Sequence, residues 1–138
     1  MRFLAVDLGD KRTGLATGDD ELKISHPVCV LEIPIGTLLI DAIANAIQEH
    51  AIDALVVGLP LNMDGTLGQR VNITKQFAAQ LAEKTNLPLH FQDERLTSAA
   101  AEEQLAGSGK THKQKKKIRD ALAATEILND FLESPAPE

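Results

Sequence analysis

The sequence predicts an α/β protein built on one mixed five-stranded sheet with helices on its faces, and two observations support this class. The first part of the chain carries short apolar runs separated by turn residues, which is typical of an antiparallel meander. The remainder alternates apolar runs with amphipathic segments, which is typical of parallel strands joined by crossover helices. With 138 residues, we expect a single domain over residues 1–133, followed by a flexible tail over residues 134–138.

The predicted meander consists of three strands joined by short connections. Turn-forming residues separate the first two strands, and Pro27 and Pro34 mark the predicted limits of the third. The strands are Arg2–Leu8, Leu15–Thr17 and Val28–Ile33, with the turn Gly9–Gly14 between the first two.

The alternating part begins after the meander. Apolar residues recur at helical spacing from Leu38 to His50, and Ala54–Gly58 has the continuous apolar character of a parallel strand buried on both faces. The elements predicted after it are a helix at Gly68–Lys84, a strand at Leu87–Gln92, and helices at Ala99–Leu105 and Gln114–Leu132.

Three acidic residues stand where the pattern otherwise indicates buried structure. Asp7 ends an apolar run, Glu94 follows the last predicted strand, and Asp120 lies on the apolar arc of the final helix. Ligands gather beyond the carboxyl ends of parallel strands, and clustered carboxylates suit hard divalent cations. The sequence therefore predicts a metal-dependent enzyme.

Each of the three acids also has a structural interpretation. Asp7 can cap the following turn, and Glu94 can pair with Arg95 or another exposed cation. Asp120 can form a salt bridge with a lysine or arginine, or lie at a hydrated edge of its helix. The metal-site hypothesis depends on all three side chains converging.

The charge of the chain is segregated along the sequence. The formal net charge is -6, yet six of the fourteen Lys and Arg residues fall between Lys110 and Arg119, a segment without acids. This basic segment is expected to attract nucleic acid, and its alternative is a solvated loop and helix start. Aromatic residues make up 3% of the chain, which disfavours recognition by base stacking.

The lengths of the apolar runs and the cysteine count also indicate the cellular compartment. The apolar runs are far shorter than the roughly 20 residues of a membrane span, and the first of them continues directly into Asp7. Cys29, the single cysteine, cannot form an internal disulfide. We therefore expect a soluble, cytoplasmic protein.

Four segments closely resemble the YqgF family, and the likeness extends over nearly the whole chain. This family comprises RNase H-like proteins linked as nucleases to processing of the 5′ end of pre-16S rRNA and earlier described as Holliday-junction resolvases. The segments are Asp7–Gly14, Val57–Thr66, Asp93–Ser98 and Asp120–Ala124.

The resemblance implies an RNase H-like domain whose catalytic and metal-binding acids are Asp7, Glu94 and Asp120, with Asp93 as the alternate ligand. Two Mg²⁺ or Mn²⁺ ions would support phosphodiester hydrolysis. No clear fourth acid is present, so the second metal site stays open. Because neighbouring strand residues face opposite sides of a sheet, only one of Asp93 and Glu94 should face the metals unless the strand has already ended, and we favour Glu94.

Cations are the predicted contacts to the nucleic-acid backbone, and such contacts imply salt-dependent binding. For Lys11 and Arg12 the alternative is an exposed turn without a ligand. The predicted contacts are Lys11, Arg12, Arg95, Lys113, Lys115, Lys116, Lys117 and Arg119.

The predicted function is a nuclease that processes the 5′ end of pre-16S rRNA in ribosome biogenesis. The alternatives are a Holliday junction resolvase and a non-catalytic nucleic-acid-binding or transcription-associated scaffold. The sequence leaves open RNA against DNA as substrate, endonuclease against exonuclease action, and monomer against dimer.

Overall fold

The computed structural model describes residues 1–60, 68–93 and 112–133, with side chains described from residue 121 onward in the last range. Five strands form one sheet in the order β3-β2-β1-β4-β5. The central strand β1 pairs antiparallel with β2 and parallel with β4. The predicted mixed five-stranded sheet is therefore confirmed. The strands are β1 (Arg2–Asp7), β2 (Thr13–Asp19), β3 (Ile24–Leu31), β4 (Ala54–Leu59) and β5 (Leu89–Asp93).

Three helices flank the sheet in the described part of the chain. Helices α1 and α2 cover one face, and α3 covers the other. None of the helices in the described ranges is long and apolar enough to cross a membrane. The predicted helix Ala99–Leu105 and the predicted tail lie outside the described residues. The helices are α1 (Thr37–Glu49), α2 (Gln69–Thr85) and α3 (His112–Glu133).

Each face of the sheet has its own apolar cluster. Side chains alternate between faces along a strand, so one strand contributes to both clusters. On β1, Leu4 and Val6 pack under α1 and α2, whereas Phe3 and Ala5 pack under α3. The Cys29 side chain is half-buried against the α1/α2 cluster, and burial raises the pKa of its thiol. The thiol is therefore kept protonated and poorly nucleophilic.

The prediction for the third strand was wrong at both ends. Strand β3 begins at Ile24, so Pro27 lies inside it rather than at its limit. The pairing register shifts by one residue here, because Leu15 is paired with Cys29 and the next residue of β2 with Pro27. Since β3 is an edge strand with a bulge at this point, it accepts a residue that lacks a backbone N–H.

Candidate active site at the carboxyl end of β1

Asp7 is the last residue of the central strand and is half-buried. By alternation it shares a face with Phe3 and Ala5, both of which belong to the cluster under α3. Its carboxylate therefore belongs to the α3 side of the sheet. The neighbouring strands β4 and β5 are parallel to β1, so their carboxyl ends meet at the same edge.

Glycines flank Asp7 on both sides. Gly14 of β2 is its direct pairing partner. On β4, Val57 is paired with Val6, which brings the following residue, Gly58, level with Asp7. Both glycines are buried. At these two pairing positions the neighbouring strands consequently carry no side chain.

The register of β5 distinguishes the two candidate acids after that strand. His90 packs edge-on against Phe3, with ring centroids 6.3 Å apart, so even-numbered residues of β5 face α3. Asp93 is paired with Leu59 and therefore belongs to the opposite face, away from Asp7. Glu94 lies outside the described residues.

Helix α3 runs antiparallel to β1. The Phe131 ring lies 5.3 Å from the Phe3 ring, and the Lys23 ammonium donates to the Leu132 carbonyl oxygen at 3.1 Å. The carboxyl end of α3 is thus at the amino end of β1, and its earlier turns lead towards the edge that carries Asp7. The backbone is helical through position 120, but the Asp120 side chain lies outside the description.

The predicted buried arc of α3 is confirmed where its side chains are described. Ala124, Ile127 and Leu128 are fully buried against the sheet, and Glu133 is exposed. Asp130 is partly buried, and this burial together with the nearby charge of Glu126 and Glu133 raises its pKa.

The predicted metal ligands are only partly covered by the structure. Among the described side chains, no three His, Cys, Asp or Glu residues are grouped to hold a metal. Of the three predicted ligands, Asp7 alone has a described side chain. Arg95 and the side chains of the basic residues in α3 also lie outside the description, so the predicted set stays a prediction. Those basic residues are Lys113, Lys115, Lys116, Lys117 and Arg119.

The cations Lys11 and Arg12 lie in the β1–β2 turn, residues 8–12, directly after Asp7. Lys11 is exposed and Arg12 is partly exposed. The turn is tight, because a Cβ atom on Gly9 would collide with the carbonyl oxygen of Arg12. The Gly9 N–H points to Thr13 Oγ1 at 3.5 Å, which joins the two ends of the turn.

Sequence reasoning missed Arg70, which contacts this turn from helix α2. Its Nη2 donates to the Leu8 carbonyl oxygen at 3.1 Å, and its Nη1 donates to the Asp10 carboxylate. No spacing pattern identifies this residue, because the contact joins positions 60 and 62 residues apart in the sequence.

Solved structures define the class of the fold. The chain resembles RuvC of Thermus thermophilus in complex with a Holliday junction substrate, with a TM-score of 0.57, 13% identity, and 96% of this chain and 94% of that chain covered. It also resembles the Fowlpox virus resolvase in complex with Holliday junction DNA, with a TM-score of 0.60, 11% identity, and 96% and 97% covered. The chain thus has the RNase H-like fold of these two proteins.

Sequence comparison identifies the family within this class. The RuvX family, described as Holliday junction resolvase, matches residues 1–134. A Dechloromonas aromatica protein named "Putative pre-16S rRNA nuclease" is 40% identical over 132 residues, covering 96% of this chain and 90% of that protein. A protein of the same name from Neisseria gonorrhoeae is 38% identical over 135 residues, covering 98% and 89%. The chain belongs to the RuvX family, which confirms both the resemblance stated above and the prediction of a nuclease.

Proposed function

We propose that this protein is a metal-dependent nuclease that hydrolyses phosphodiester bonds in precursor 16S rRNA in the cytoplasm. The observation that carries the proposal is the position of Asp7, which ends the central strand, faces α3 and has glycine on both sides. The names of the relatives support precursor rRNA as the substrate. The family description supports cleavage of nucleic acid.

Asp7, Glu94 and Asp120 would hold the metal, with Asp93 as the disfavoured alternate. Three carboxylates form an all-oxygen ligand set that fits Mg²⁺ or Mn²⁺, and the two strand positions level with Asp7 are glycines, which add no side chain of their own there. When bound, a pair of such ions activates water and neutralises the leaving oxygen. The alternation of β5 supports Glu94 as the ligand. Asp93 faces away from Asp7, so an extended backbone that continued for one more residue would turn the next side chain, Glu94, to the face of Asp7.

The spacing of the elements supports a meeting of all three acids. Strands β1 and β5 are separated by β4, so Asp7 and the end of β5 lie about 10 Å apart across Gly58. Position 120 precedes Phe131 by eleven residues, about 16 Å along a helix. Asp7 follows Phe3 by four residues, about 13 Å along a strand. Because the two phenylalanine rings are in contact, position 120 is expected about level with Asp7.

The charge order along α3 supports binding of an anionic substrate at the same edge. The first turns of α3 are rich in lysine and arginine, and its last turn contains no basic residue. A helix dipole favours the opposite arrangement, with acids first and bases last. The basic first turns therefore weaken helix α3. Their presence is explained if they attract the phosphates of a substrate, together with Lys11, Arg12 and Arg95.

A cleavage assay tests the proposal. Purified protein is incubated with Mn²⁺ and a precursor 16S RNA fragment, and wild type is compared with Asp7→Asn and Glu94→Gln. Both variants are expected to fold and to lose activity by orders of magnitude. Asp41→Asn is the matched control, because Asp41 is an exposed acid paired with Lys84 between α1 and α2. Full activity of Asp7→Asn would refute the proposed site.

Holliday junction resolution is the second candidate, and the family description favours it. A four-way DNA junction in the same assay decides between the two substrates. Resolution requires paired, symmetric cuts and therefore two copies of the site, which size-exclusion chromatography of the enzyme–junction complex would detect. A non-catalytic scaffold is excluded if metal-dependent cleavage of either substrate disappears in Asp7→Asn.

A further inference from the structure

Arg70 joins helix α2 to the turn that follows Asp7. One guanidinium nitrogen donates to the Leu8 carbonyl oxygen at 3.1 Å, and another donates to the Asp10 carboxylate. These acceptors lie on either side of Gly9, so a single planar group holds two points of the same turn. The Leu8 carbonyl belongs to the Leu8–Gly9 peptide, so the first contact restrains the backbone one residue beyond the proposed catalytic residue.

The Arg70 contacts are expected to add little to the free energy of unfolding. The Asp10 side chain is 75% exposed, and exposed ion pairs contribute little to the free energy of unfolding. Two hydrogen bonds from one rigid fork do, however, fix the orientation of what they bind. Their effect is therefore expected in the geometry of the turn.

The turn is also restrained from within. A side chain at Gly9 would strike the Arg12 carbonyl, and the Gly9 N–H is directed at Thr13 Oγ1. The close backbone approach at Gly9 and this hydrogen bond both belong to the β1–β2 hairpin. Arg70 adds a restraint from a different element and thereby fixes where the turn lies relative to α2.

We propose that Arg70 is a positioning residue that holds the β1–β2 turn so that the Asp7 carboxylate keeps its catalytic orientation. This inference rests on the proposed function of Asp7. Lysine at position 70 keeps the positive charge but cannot bind two acceptors with one planar group. Arg70→Lys therefore separates orientation from charge.

The test compares wild type, Arg70→Lys and Asp10→Asn in Mn²⁺-dependent cleavage of the precursor RNA fragment. For Arg70→Lys we expect kcat to fall about 10-fold to 100-fold, because small misplacements of catalytic groups have effects of this size. KM should change less than about twofold, since uniform binding is retained. Asp10→Asn, which leaves the bond to Leu8 intact, should lower kcat less than Arg70→Lys.

Amide hydrogen exchange gives a readout that does not depend on activity. In Arg70→Lys, the Gly9 amide should exchange faster while the amides of β1 and α2 keep their protection. Lys84→Ala is the matched control, because it removes an exposed ion pair of the same helix without touching the turn. Unchanged kcat together with unchanged exchange at Gly9 in Arg70→Lys would overturn the inference.

The two proposals fail in different ways. If wild type cleaves neither substrate, or if Asp7→Asn is fully active, the proposed function is wrong, and hydrogen exchange alone decides whether Arg70 holds the turn. If wild type is active and Asp7→Asn is inactive while Arg70→Lys behaves as wild type in both readouts, the positioning role alone is wrong.

Discussion

The two faces of the sheet are built from side chains of different size. Towards α1 and α2 the strands present large aliphatic residues: Leu4, Val6, Leu15, Leu55 and Val57. Towards α3 three of the five clustered strand residues are alanines, namely Ala5, Ala16 and Ala54. Gly18 belongs to the same face, where an added Cβ would lie 2.8 Å from Leu128.

This difference in side-chain size suggests that one face of the sheet mainly supports stability and the other mainly sets the geometry of the site. Large residues under α1 and α2 supply most of the buried aliphatic volume, whereas small residues under α3 allow that helix to approach the sheet closely. Because Asp7 lies on the α3 face, close approach is what brings the helix near the proposed metal site. The first face should therefore tolerate loss of volume poorly, and the second should tolerate gain of volume poorly.

The largest effect on stability is expected from truncation on the α1/α2 face. Leu55→Ala removes a fully buried side chain and should lower the free energy of unfolding by about 2–5 kcal/mol. Urea unfolding followed by circular dichroism measures this loss. Leu38→Ala, at a position 74% exposed, serves as the control and should change stability by less than about 0.5 kcal/mol. Equal losses in the two variants would contradict the assignment of the core.

Enlargement on the α3 face should have the next largest effect. In Gly18→Ala the new methyl would lie 2.9 Å from the Ile24 carbonyl oxygen as well as against Leu128, so we expect a loss of about 1–3 kcal/mol. Gly36→Ala is the matched control, since a Cβ atom added there would meet nothing within 4 Å, and it should be neutral or slightly stabilising. Stabilisation by Gly18→Ala in thermal unfolding would show that α3 does not pack this closely.

The hydrogen bond from Lys23 to the last turn of α3 should contribute less to the free energy of unfolding. Lys23→Met keeps the aliphatic stem but removes the ammonium that donates to the Leu132 carbonyl, and it should cost about 1 kcal/mol. Urea unfolding at low and high salt measures this. The difference from wild type should shrink as salt rises, and a salt-independent difference would assign the effect to packing.

The smallest effect is expected at Asp130, whose pKa is raised by burial and by Glu126 and Glu133. A carboxyl with a raised pKa binds its proton more tightly in the folded state, so stability falls as pH rises through the raised pKa. At neutral pH, Asp130→Asn should therefore stabilise the fold, by only about a few tenths of a kcal/mol because the group is largely solvated. Thermal unfolding at pH 7 and at pH 3 tests the sign, and the gain should vanish at the lower pH.

The sequence predicted the sheet and its helices because hydrophobic periodicity records burial directly. Asp7 was identified for the same reason, since a carboxylate at the end of an apolar strand breaks the pattern. The extension of β2 to Asp19 and of β3 back to Ile24 was missed, because Gly18 and Pro27 read locally as turn residues. Tertiary structure explains both residues. Gly18 allows α3 to pack closely on the sheet, and Pro27 lies at a bulge of an edge strand.

Other features of the site depend on which strands are neighbours, and local sequence does not contain that information. The glycines beside Asp7 are seven and fifty-one positions away in the chain and meet it only through strand pairing. The contact between Arg70 and the β1–β2 turn likewise requires the folded arrangement of α2. Pairing register also shows that Asp93 faces away from Asp7, which supports the proposed preference for Glu94.

The order of the elements along the chain has a consequence for synthesis on the ribosome. Helices α1 and α2 emerge before β5 and can cover their side of the sheet early, whereas α3 follows all five strands. Until α3 has left the exit tunnel, Phe3 and Val56 lack the helix that covers them among the described residues, and position 120 cannot yet reach the sheet. The proposed cleavage centre is therefore completed only after α3 has emerged, later than the apolar core on the opposite face of the sheet.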